Sequence, residues 1–113
     1  MERHRIQRFK TLLAVRQHEL RLSIEQQRRS VRGVGREPDV MDQAASSYEK
    51  ETLFEQSRRE EGLLQMVESA LGRIQDGSFG HCLSCGDEIN EKRLLVVPWT
   101  QYCIQCQEHL ERR

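Results

Sequence analysis

The residues in this chain best equipped to do chemistry are its four cysteines. They form two Cys-x-x-Cys pairs, "CLSC" (Cys82, Cys85) and "CIQC" (Cys103, Cys106), with 17 residues between the pairs. A tetrahedral zinc ion takes four soft ligands at about 2.3 Å, and two intervening residues let both sulfurs of a pair reach one ion. The spacing falls within the window of a four-thiolate zinc site, and Gly86 follows the first pair where a tight turn is wanted. Two redox-active pairs would need a βαβ pattern that is missing. Two disulfides would need an oxidising compartment. Four thiolates close the coordination sphere, so the metal is expected to fold a module too small to build its own core and to bind no catalytic water. His81 and His109 flank the site; either could replace a thiolate in a three-cysteine site, but both are expected on the surface. No nucleophile–base arrangement or open metal site is visible, which argues against an enzyme.

A second stretch with chemical potential is "GREPDVMDQA", Gly35 to Ala44, which places Asp39 and Asp42 three residues apart after a Gly/Pro break. Taken alone, these aspartates are helix caps: Asp39 as N-cap and Asp42 at the third helical position, both favoured by the helix dipole. Ala44 is a good helix former.

Long polar helices must position both features. Residues 2–32 read as one helix. Ile6, Phe9, Leu13 and Leu20 lie at heptad-like spacing, continued by Ile24 and Val31, while Arg16, Ser23 and Gln27 interrupt the seam. Gly33, Gly35 and Pro38 break the chain briefly, so the flanking helices should be antiparallel neighbours. A second helix is expected from about Val40 to about Gln75, with Leu53, Ser57, Glu60, Leu64, Val67, Leu71 and Ile74 alternating steps of four and three. Some 36 helical residues span about 54 Å, too long to lie on so small a globule, so this helix should project. Gly62 within it costs about 1 kcal/mol relative to alanine. "DGSFG" (Asp76–Gly80) ends the helix, "RLLVVPW" is expected to hold a short strand before Pro98, and "CIQCQEHLERR" a short terminal helix. Leu63, Leu64, Val67, Leu71, Ile74 and Phe79 should pack the cysteine module onto the helices, with Trp99 and Leu110 as further core candidates.

Composition agrees. Charged residues make up 32% of the 113 and the hydrophobic set 36%, too polar for one large core. The zero net charge conceals a segregation: residues 1–36 carry +7, residues 37–76 carry −6 and residues 77–113 carry −1. Two helices folded against each other would gain from that arrangement. The start "MERHRIQRFKTLL" has no apolar core of a secretory leader, and no stretch approaches the roughly 20 apolar residues of a membrane span. A cytoplasmic protein without a membrane anchor is expected. The fold class is therefore all-α dominated: an antiparallel two-helix coiled-coil hairpin over residues 1–76, its tip at about 33–44, followed by a small four-cysteine zinc finger with a short C-terminal helix over 77–113.

The combination of hairpin, acidic turn and finger resembles the DksA/TraR family of bacterial RNA polymerase-binding regulators. "DVMDQA" fits that family's Asp-x-x-Asp-x-Ala tip motif. "DGSFGHCLSCGDEINEKRLLVVPWTQYCIQC" fits its finger, including Phe79, Gly80, Gly86, Ile89, Arg93, Leu94 and Pro98. The resemblance covers residues 39–107; residues 1–36 match only in being a polar helix. It implies a transcription regulator that binds RNA polymerase without contacting DNA and inserts its coiled-coil tip into the secondary channel. Asp39, Asp42 and Ala44 would then be the tip determinants, and Arg58, Arg59 and Arg93 candidate polymerase contacts. Members of the family that respond to the alarmone ppGpp hold it with basic side chains, where this chain has Met66, Val97 and Gln107. Weak or absent ppGpp dependence follows, and the protein is expected to be a monomer. Two other readings are open: a nucleic-acid-binding zinc finger using the basic first helix, disfavoured by a slightly acidic finger without basic–aromatic clusters, and a homo-oligomeric coiled-coil scaffold.

Overall fold

The computed structural model describes the backbone of residues 1–33 and 40–112 and the side chains of 1–30 and 47–112. Four helices are present among them: α1 (Arg3–Gly33), α2 (Val40–Asp76), α3 (Glu91–Val96) and α4 (Ile104–Glu111). The two long helices start and stop within two residues of the sequence expectation. Among the described residues the only β pairing is a single antiparallel bridge between His81 and Glu88. By packing, the chain divides into one unit of Met1–Gln17 with Gln65–Arg113 and a second of His18–Leu64.

In the first unit the opening turns of α1 meet the closing turns of α2 and the cysteine module. Phe9, Leu13, Val67, Ala70, Phe79, Ile89 and Leu94 are buried. The rings of Phe9 and Phe79 lie 5.4 Å apart, tilted at 47°, an arrangement aromatic pairs prefer over face-to-face stacking. Phe79 reaches this position because α2 ends abruptly. Gly77 takes φ +84°, which L side chains resist. The amides of Ser78 and Phe79 both donate to the Arg73 carbonyl, at 3.0 and 3.2 Å. Asp76 accepts from the Ser78 amide and hydroxyl, and these two bonds hold its carboxyl below the usual carboxylate range. An exposed ion pair, Arg5 to Glu91 at 3.3 Å, adds at most about 1 kcal/mol. Of the residues expected to pack the module, Val67 and Phe79 are buried and Leu63, Leu64, Leu71, Ile74 and Trp99 are half-buried, whereas Leu110 lies on the surface.

The first four residues of "RLLVVPW" belong to helix α3, not to the strand expected from its aliphatic run. Asn90 caps α3 by accepting from the Lys92 amide at 2.8 Å, and Glu91 favours the first turn. Helical geometry sends only Leu94 inward and leaves Leu95 and Val96 exposed. The cap outweighs the weak strand preference of two valines, and Pro98 stops the helix.

In the second unit Leu20 and Ile24 are buried on α1, and the seam then turns polar. Gln27 is 6% exposed and Ser57 9%. The Ser57 hydroxyl donates to Gln27 Oε1 across the helices at 2.6 Å, and Gln27 Nε2 donates to Ser23 Oγ at 3.1 Å. The interruption read from the sequence as a weakness is thus a satisfied buried network. Arg28 and Glu61 pair alongside it at 3.0 Å. These partners join residues late in α1 to residues in the middle of α2, and Phe9–Phe79 joins early to late, so within each unit the helices run antiparallel.

Two outcomes follow for equilibrium urea unfolding. Gly62 and Gly72 are helical with open space where a Cβ would stand, so Gly62→Ala and Gly72→Ala should each raise stability by about 0.5–1 kcal/mol. Ser57→Ala should lower it by about 1–3 kcal/mol by leaving buried Gln27 Oε1 without a donor.

Candidate metal centre

The first cysteine pair sits on a turn folded by the bridge between His81 and Glu88. The Cys82 amide donates to the Asp87 carbonyl at 2.8 Å, and the Gly86 amide returns to the Cys82 carbonyl at 2.9 Å. Gly86 closes the turn at φ +79°. The second pair belongs to α4. Cys103 is its N-cap residue, with extended backbone, and Cys106 lies within the first turn. A backbone hydrogen bond joins the two turns, from the Leu83 amide to the Gln101 carbonyl at 2.9 Å.

This backbone draws all four sulfurs within 4.8 Å of one another. Cys85 and Cys103 stand 3.9 Å apart, close to the roughly 3.8 Å edge of a tetrahedron with 2.3 Å metal–sulfur bonds. Among the described residues this is the one group of metal-capable side chains; His81 and His109 are exposed and outside it. Cys82 is buried, Cys103 and Cys106 are half-buried, and Cys85 is exposed.

The electrostatics match the geometry. Burial alone would push the Cys82 thiol up, but the backbone amides of Cys85, Cys103 and Ser84 donate to it and hold its pKa at about 6. Cys85 goes the other way, to about 12: the Asp87 amide favours its thiolate, but burial and the three neighbouring sulfurs prevail. Cys106 is raised too, chiefly by Cys103 and Cys82. One thiolate is thus supported by the fold, while further negative charge needs a cation. A divalent metal supplies that charge, and the donor set and spacing fit zinc.

Beside the second pair, Arg93 Nε donates to the Tyr102 carbonyl at 3.2 Å, its terminal nitrogen to Thr100 Oγ1 at 3.3 Å, and that hydroxyl to the same carbonyl at 3.0 Å. The sequence offered no signal for this network beyond the residue types. A pocket of about 540 Å³ adjoins it, and Met66, Val97 and Gln107 all line it, with Glu108 and Glu111 on the α4 side. Arg58 and Arg59 are exposed on α2. Asp42 and Ala44 fall in the opening turns of α2, their side chains outside the described residues; Asp39 lies outside them altogether.

A four-thiolate finger packed on paired helices defines the class as a C4 zinc-finger protein with a helical hairpin. Comparison with known proteins narrows it. Residues 77–112 match the prokaryotic dksA/traR C4-type zinc finger. A protein of Salmonella typhimurium called RNA polymerase-binding transcription factor DksA is 37% identical over 76 residues, covering 67% of this chain and 50% of that protein. An uncharacterised protein of Aquifex aeolicus is 40% identical over 74 residues, covering 66% of this chain and 51% of its own. In each case the match spans about half the length of the curated relative. The solved structure of transcription factor DksA2 from Pseudomonas aeruginosa superposes with a TM-score of 0.91 at 30% identity, over 100% of this chain and 88% of that one. The chain belongs to the DksA/TraR family.

The purified chain should carry one zinc per molecule, and Cys82→Ser should abolish stoichiometric binding by plasma emission analysis. Because every ligand must lose its proton to bind, affinity should weaken as pH falls. Chelator competition across pH 5–9 (about the working range of thiol ligands) checks this sign.

Proposed function

We propose that this chain regulates transcription by binding RNA polymerase directly, inserting the segment that links α1 to α2 into the secondary channel, where Asp39, Asp42 and Ala44 act as tip determinants. The observation that carries the reading is a conjunction. The likeness to DksA2 runs over the whole chain, and an Asp-x-x-Asp-x-Ala sequence stands at the start of α2. A relative named for polymerase binding matches 67% of this chain at 37% identity. The working division is a hairpin over residues 1–76 and a finger over 77–113, active as a cytoplasmic monomer. No helix among the described residues is long and apolar enough to cross a membrane.

On this reading the protein acts by binding. Its zinc is closed within four thiolates, and the regulatory force comes from charged hydrogen bonds at the tip, each worth about 1.5–3 kcal/mol. Exposed Arg58 and Arg59 are available as polymerase contacts. Arg93 is half-buried and already engaged with Tyr102 and Thr100.

Pull-down with core RNA polymerase should recover the wild-type chain and both Asp39→Asn and Asp42→Asn, while in vitro transcription should lose regulation with either variant. No binding by the wild type would sink the reading; full activity of both variants would reduce the aspartates to helix caps. The pocket containing Met66, Val97 and Gln107 has one cation among its lining residues, Arg93, against Glu108 and Glu111. A polyphosphate needs more positive charge than that. Adding ppGpp should therefore leave the protein's effect unchanged, and measured synergy would refute this.

A further inference from the structure

We infer that Arg93 is a positioning residue for the zinc site, holding the second cysteine pair in register with the first. One peptide plane connects the guanidinium to the metal ligands. Tyr102 and Cys103 share a planar amide, so fixing its carbonyl oxygen also fixes the direction of its N–H. That oxygen accepts twice, from Arg93 Nε at 3.2 Å and from Thr100 Oγ1 at 3.0 Å. Arg93 also donates to Thr100 Oγ1 at 3.3 Å, closing a three-membered ring of partners. One residue earlier, the Gln101 carbonyl accepts from the Leu83 amide at 2.9 Å, which ties this stretch of backbone to the first cysteine turn. The guanidinium therefore fixes the peptide plane that enters Cys103, next to the backbone bond that joins the two cysteine turns, and it orients the residue that caps α4 and contributes the third sulfur.

The supports are themselves fixed. Arg93 lies on α3 between the Asn90 cap and fully buried Leu94, and its own carbonyl accepts from the Val97 amide at 2.8 Å. Thr100 is 6% exposed, and its amide is anchored to the Val97 carbonyl at 3.0 Å. Two donors at a fixed angle are what a guanidinium offers and an ammonium does not. Groups that orient metal ligands without touching the metal typically carry about 10- to 100-fold in metal affinity.

The test uses the full zinc-loaded chain. Arg93→Gln should release zinc to a chromogenic chelator with about 10- to 100-fold weaker affinity. Thr100→Val should shift it in the same direction by less, and Arg93→Lys should recover only part of the loss. The control Arg59→Gln should match wild type. Alkylation followed by mass spectrometry separates positioning from general loosening. In Arg93→Gln, Cys103 and Cys106 should react ahead of Cys82 and Cys85. Wild-type zinc affinity in Arg93→Gln would overturn the inference, as would equal acceleration at all four cysteines. Binding of RNA polymerase does not enter these readouts, so the inference stands or falls independently of the proposed function.

Discussion

Four sulfurs within 4.8 Å of one another cannot all carry charge in the absence of a cation, and this constraint governs the C-terminal third of the chain. The fold stabilises one thiolate, at Cys82, by aiming amides at it. Cys85 and Cys106, whose thiols are held high by their neighbours, depend on the metal to ionise. Residues 77–112 have few buried apolar side chains of their own. Phe79, Ile89 and Leu94 are the large ones, far too little area to offset the entropy of ordering some 35 residues. Metal binding free energy is therefore folding free energy for this segment.

What the module cannot bury alone it buries against the helices. Phe79 stacks on Phe9, and Val67, Ala70 and Leu13 complete the same core. The abrupt stop of α2 at Gly77 makes this possible by turning the chain back within two residues. Farther along, apolar packing gives way to the Gln27–Ser57 contact. A buried polar pair of this kind contributes less stability than leucines would, but it is satisfied in one alignment of the helices and orphaned in others, which favours a single register.

The arginines show how one residue type divides its labour. Arg58 and Arg59 stand exposed on α2, whereas Arg93 is folded inward and spends its donors on a hydroxyl and a carbonyl. Sequence position alone makes all three look like surface contacts for a partner. Burial and hydrogen bonding separate them.

The sequence by itself determined the metal ligands, because Cys-x-x-Cys spacing is a local geometric condition, and the two long helices, because a 3.6-residue period and Gly/Pro breaks are local as well. It also carried the family through the Asp-x-x-Asp-x-Ala and finger motifs. The helix over Glu91–Val96 also had a local cause, the Asn90 cap, which the aliphatic run after it masked. Only the tertiary structure decided that Ala70 belongs to the core, that Leu110 lies outside it, and that Gln27 is a buried partner where the sequence showed a break in the seam. Each of these depends on which group stands opposite, at a sequence separation of 30 residues in the case of Gln27 and Ser57, and no periodicity along one strand of sequence encodes that.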